Sequence, residues 1–154
     1  MKTLLIACMT LLSFAGCSKK QADTVLPANP TRMVGDWVLI NPVSAYNITL
    51  KIASAPARMA GFDAYQFTGR SSVNSYFADA QFSKGPSIES GEAGTGGVFA
   101  LGSTKVAGSP AAMQFETDYF ARLVATNRVA LTSDGKLIFH YALATPGELI
   151  FKRQ

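Results

Sequence analysis

Val129-Ala130-Leu131-Thr132-Ser133-Asp134-Gly135-Lys136-Leu137-Ile138-Phe139-His140-Tyr141 sets two β-rich segments on either side of an Asp-Gly pair. Asp-Gly supplies the left-handed backbone that a tight reversal requires, so the stretch predicts a β-hairpin. Pro146-Gly147 then turns the chain into Leu149-Ile150-Phe151. The C-terminal segment is therefore expected to be a three-stranded meander.

Moving towards the N-terminus, the same chemistry repeats. Asp36-Trp37-Val38-Leu39-Ile40 is rich in β-branched and aromatic residues. In Ile48-Thr49-Leu50-Lys51-Ile52 the apolar residues alternate with polar ones, so one face is buried. Tyr65–Thr68, Phe77–Phe82 and Val98–Leu101 add three further short strands. One helix interrupts them. Ser109 is a good N-cap, Pro110 suits the first helical position, and the helix is expected to stop before Asn127. Met113, Phe120, Leu123 and Val124 form its expected apolar stripe, with Glu116 in the middle. The Gly-rich segment 84–97 reads as a flexible loop; it lacks the Gly-Lys-Ser/Thr ending of a phosphate loop. The fold class is thus α+β: a small, twisted, mostly antiparallel sheet, curved into a partial barrel, packed on one main helix.

The N-terminus carries a different message. Lys2 is followed by an apolar run to Phe14, then Ala15-Gly16-Cys17. This is the layout of a secretory signal peptide, and it is too short to span a bilayer. Residues 1–16 are read as the signal peptide, cut between Gly16 and Cys17, residues 17–33 as a flexible tether, and 34–154 as the folded domain. The 154 residues less 16 leave 138, one domain's worth. Of two cysteines, Cys8 leaves with the signal peptide. A plain signal peptide would leave Cys17 a lone thiol in an oxidising compartment.

Removing Lys2 lowers the formal charge from +4 to +3. The remaining cations are scattered without interleaved aromatics, so no nucleic-acid partner is expected. His140 is the only histidine and no Gly-x-Ser-x-Gly elbow is present, so neither a catalytic triad nor a transition-metal site is expected. By alternation His140 faces opposite to Phe139 and Tyr141, at the surface or rim. No catalytic residue, metal ligand or cofactor is assigned. Arg70, Asn74, Lys105 and Glu116 form the one polar set worth singling out. It is either a pocket that grips a ligand or a structural tie in which Glu116 pairs with Lys105 or Arg70, because a bare buried carboxylate is costly.

Phe14-Ala15-Gly16-Cys17 resembles the lipobox of bacterial lipoproteins, with Phe14 in place of the usual Leu. That resemblance implies acyl chains, palmitate among them, on Cys17, and a lipid-anchored protein of the cell envelope. Ser18 as the second mature residue implies the outer membrane, with the domain facing the periplasm. Two inner segments, Phe67-Thr68-Gly69-Arg70-Ser71-Ser72-Val73-Asn74-Ser75-Tyr76-Phe77 and Thr104-Lys105-Val106-Ala107-Gly108-Ser109-Pro110-Ala111-Ala112-Met113-Gln114-Phe115-Glu116, resemble the META domain (HslJ-like) family. Many members carry a cysteine pair where this chain has Val73, or its neighbour, and Gly108. The resemblance implies a twisted sheet around one helix, and a non-catalytic role in stress response or envelope homeostasis. It leaves open a partner-binding inhibitor or chaperone-like module and, less in keeping, a hydrolase. The partners it implies are the membrane, through the anchor, and an envelope protein or ligand it does not name.

Overall fold

The structure is a computed structural model that describes residues 32–84 and 94–154. The segment read as a signal peptide, Cys17, most of the segment read as a tether and residues 85–93 lie outside the described residues. Eight strands and one helix follow in order: β1 Gly35–Asn41, β2 Thr49–Ala55, β3 Phe62–Arg70, β4 Ser75–Ser83, β5 Gly94–Ser103, α1 Pro110–Val124, β6 Thr126–Leu131, β7 Leu137–Tyr141 and β8 Gly147–Arg153. Each strand pairs antiparallel with the next, and β8 returns to pair with β1. The sheet is therefore a closed barrel, not the partial barrel that the sequence led us to expect. The closing ladder runs from Trp37↔Arg153 to Asn41↔Ile150. Alternation within one strand says which face is buried, but not which distant strand lies beside it.

The barrel interior is filled with side chains. Leu50 and Ile52 point inwards from β2, and Tyr76, Ala78, Ala80 and Phe82 from β4. Bulk alternates across the strands: Phe67 lies opposite Ala78 and Tyr65 opposite Ala80. Phe139 is the hub, 5.6 Å from the rings of Phe67 and Phe151 and stacked on Phe82 at 6.3 Å. Eight strands enclose a space just wide enough for such filling. Lys51, Gln66, Thr68 and Lys152 face outwards. The first and last strands meet: Trp37 donates its indole N–H to the Met33 carbonyl at 2.9 Å, Arg153 stacks on the Trp37 ring, and Gln154 N–H bonds Asp36. Buried Met33 brings the start of the fold one residue ahead of the expected boundary.

β5 begins at Gly94, so Gly94–Gly97 belong to the sheet and not to the flexible loop expected over 84–97. A Cβ on Gly96 would lie 1.9 Å from the Gln81 carbonyl oxygen, so only glycine permits this strand approach. β5 and β6 pair only at Gly94↔Val129 and Thr95↔Arg128. Beyond that they diverge, and α1 caps this end of the barrel. Phe115 meets Tyr46 of the β1–β2 loop at 5.3 Å, and the Ala142 N–H bonds Ala125.

The helix starts as expected, with the Ser109 hydroxyl accepting from Ala112 N–H. Its buried face, however, is Ala112, Glu116, Tyr119 and Leu123. Met113 and Val124, assigned to the stripe from the sequence, are 38% and 49% exposed, and Phe120 is half-buried. A glutamate and a tyrosine on the inner face disguised its hydropathy pattern. Among the described residues no helix is long and apolar enough to cross a membrane.

Candidate functional site

Of the four polar residues singled out in the sequence, Asn74 and Glu116 come together where α1 meets the β3–β4 turn, and Arg70 and Lys105 do not. Ser71-Ser72-Val73-Asn74 make this turn, closed by the Ser71 N–H donating to the Asn74 carbonyl at 2.8 Å. Turn geometry of this kind directs backbone N–H and short side chains to one side. Glu116, 5% exposed, projects from α1 onto those donors. Its Oε2 accepts from the Asn74 backbone N–H at 2.9 Å and from the Ser71 hydroxyl; its Oε1 accepts from Asn74 Nδ2 at 2.7 Å. The Ser71 hydroxyl also lies 2.9 Å from the Asn74 carbonyl. With one proton to give, it serves the charged acceptor.

Asn74 is saturated. Its Nδ2 bonds Glu116 and, at 3.2 Å, the Val106 carbonyl; its Oδ1 accepts from Val106 N–H and the Thr104 hydroxyl, each at 2.7 Å. One 2%-exposed amide thus joins three segments: the turn, the link from β5 to the helix, and the helix itself. Ser72 adds a hydroxyl bond to the Ala112 carbonyl at 2.7 Å. Burial acts to raise the Glu116 pKa, but the bonds from Ser71, Asn74 and the Val73 backbone outweigh it and hold the carboxyl below its usual value.

The expected cation is absent from this arrangement. Arg70 and Lys105 are exposed, and among the described residues neither forms an ion pair with Glu116. Arg70 contributes only its backbone N–H, to the Thr49 hydroxyl at 3.1 Å. The pairing of Glu116 with Lys105 or Arg70 is therefore replaced by a set of neutral donors. Three such bonds solvate a carboxylate without the cost of burying a second charge.

Below this knot, the Tyr76 and Tyr119 hydroxyls meet at 2.7 Å, and Tyr76 reaches the Thr49 carbonyl at 3.0 Å. Tyr76 spends its proton on the carbonyl, so Tyr119 donates to Tyr76. Burial drives both phenols upwards, and each stays neutral. Ser71, Ser72, Thr104 and the tyrosine pair escaped the sequence reading, although a Ser-Ser-x-Asn turn beside a strand is a signal for donors converging on one acceptor. Val73 and Gly108 also face each other here: a Cβ built on Gly108 would lie 3.5 Å from Val73 Cβ.

His140 is half-buried on the outer face of β7, with Nδ1 3.1 Å from Glu148 Oε1. Among the described residues no group of three or more His, Cys, Asp or Glu gathers as metal ligands. Set against known families, curated proteins and solved structures, the chain matches none.

Proposed function

We propose that this chain is a lipid-anchored envelope protein with a META-like domain, acting by binding and not by catalysis in stress tolerance or envelope homeostasis. The observation that carries this reading is the commitment of the polar cluster. Every oxygen of Glu116 and every polar atom of Asn74 is spent joining helix to barrel, and the barrel interior is packed with aromatic rings. The working surface of such a domain is its exterior, and a tether from Cys17 would present that surface near a membrane. The contact of Val73 with Gly108 supports the family resemblance, because many members carry a cysteine pair at Val73, or its neighbour, and at Gly108.

An inhibitor or chaperone-like module remains the rival reading. In the version that adds a partner strand to a sheet edge, the ring of strand pairings leaves unpaired edge along β5 past Thr95, where β5 and β6 diverge, so a partner strand would have to enter there. Mass spectrometry of the N-terminal peptide, from chain recovered in the membrane fraction, tests the anchor. A triacylated Cys17 is expected, and an unmodified terminus would overturn it. A deletion strain should lose tolerance to envelope stress and regain it with the full chain but not with C17S. Labelling of the full chain by an active-site hydrolase probe would defeat the non-catalytic assignment.

A further inference from the structure

A groove of about 500 Å³ opens on the outer face of the β6–β7–β8 meander, away from the Glu116 knot. Thr95, Arg128, His140 and Glu148 lie in one row across four neighbouring strands: Thr95 pairs with Arg128, Arg128 with His140, and His140 with Glu148. All four line the groove, with Tyr141 and Pro146 as its apolar wall. Arg122, from α1, stacks over the Tyr141 ring at 5.9 Å.

The two formal charges in this row, on Arg128 and Glu148, are not paired with each other. Glu148 is engaged with His140 Nδ1, whereas Arg128 forms no ion pair among the described residues. Nε2 of His140 likewise has no hydrogen-bond partner among them. Placing Arg128 directly opposite a histidine that can become cationic is unfavourable in a bare sheet, where like charges in facing positions repel. Burial and then Arg128 lower the His140 pKa, with Glu148 opposing them. An anion between the two side chains would turn that repulsion into joint attraction.

We propose that this groove binds a small molecule bearing an oxyanion, a carboxylate or a phosphate ester, held by the Arg128 fork and His140 Nε2–H. The body of the ligand lies against Tyr141 and Pro146. Protonation of His140 accompanies binding, since both ring nitrogens then donate, one to Glu148 and one to the ligand. The inference does not depend on the anchor or on the family resemblance.

Because His140 is the only histidine in the chain, its ring can be observed without ambiguity. The full chain, labelled with ¹⁵N-histidine and free of a histidine tag, is titrated with inorganic phosphate and separately with benzoate at constant ionic strength. Saturable displacement of the ring signals, with the His140 midpoint moving to higher pH, is expected for at least one probe. Response to phosphate alone assigns a phosphoryl ligand, to benzoate alone a carboxylate with an apolar body, and to both the shared oxyanion chemistry. R128M should weaken binding about tenfold or more. No saturable change with either probe, or unchanged affinity in R128M, overturns the proposal. Should R128M fail to fold, the wild-type amide signals decide: ligand-induced shifts centred on Asn127, Tyr141 and Gly147 support the site, and shifts centred elsewhere overturn it.

Discussion

At Gly69 the backbone of β3 passes so close to β2 that a Cβ would sit 2.1 Å from the Thr49 carbonyl oxygen and 2.8 Å from the Tyr76 hydroxyl. G69A should therefore cost about 2–3 kcal/mol in a urea melt, because the obstacle is backbone and the bond it disturbs anchors the tyrosine pair. Glu116 makes a contrasting case. E116Q forces an amide N–H₂ towards either the Asn74 side-chain amide or its backbone N–H, donor against donor, and should lower stability by about 1–3 kcal/mol. R70M and K105M should stay within about 0.5 kcal/mol of wild type, since both cations stand in solvent. If K105M or R70M proved as damaging as E116Q, the neutral-donor account of the carboxylate would fail. The acid response follows from the same group. Its pKa is depressed only when folded, so the unfolded chain binds more protons in acid. That stability is complete above the ordinary glutamate value of 4.5 and is lost as pH falls through the folded value. His140, also depressed when folded, starts an earlier decline below 6.5. Acid melts of wild type, E116Q and H140N should separate the two windows.

All eight strands could be read as elements, because each carries β-branched or aromatic residues between turn formers, and the Asp134-Gly135 hairpin formed where expected. The helix could be read at both ends through Ser109, Pro110 and Asn127, but its inward face could not. A stripe whose central members are Glu116 and Tyr119 becomes visible only when their partners Asn74 and Tyr76 are in place. The partner of Glu116 was misjudged for a related reason: Lys105 and Arg70 advertise charge in the sequence, whereas turn N–H groups leave no mark on composition. The Arg128–His140 pairing was hidden because the register depends on the five-residue reversal from Leu131 to Leu137. The contact between the β3–β4 turn and the entry to α1 gives its own test. In V73C/G108C the two Cβ atoms would stand about 3.5 Å apart, within disulfide range. Oxidation should close a loop of ~35 residues and raise stability by about 3–4 kcal/mol over the reduced form, as read from paired melts. Failure to oxidise would mean that the helix entry does not rest on the turn.

For the molecule as a whole, the decisive contact joins the first strand to the last. Trp37 and Arg153 stand near opposite ends of the folded domain in sequence, so this ladder is non-local in the extreme. Folding should accordingly be slow for a chain of this size, in milliseconds to seconds by stopped-flow. The amides of Leu39 and Phe151 should exchange with solvent only through global opening, alongside those of β3 and β4. Exchange at the β1–β8 seam much faster than in β3–β4 would show that closure is an optional late event, and not part of the cooperative unit.

The same seam sets how the protein answers a pull. Because β1 and β8 run antiparallel, the residues that begin one and finish the other sit side by side, with Gln154 bonded to Asp36. Tension applied between the two termini therefore loads these hydrogen bonds singly, from the outermost inwards, as in a zipper. A tug on a strand pair in shear would load them together. Stretched from end to end, the barrel should part at low force, although its interior is closely packed with buried aromatic and aliphatic side chains. A chain tethered by one terminus and gripped by the other would thus yield first at its own closure, releasing β8 before any interior ring is disturbed.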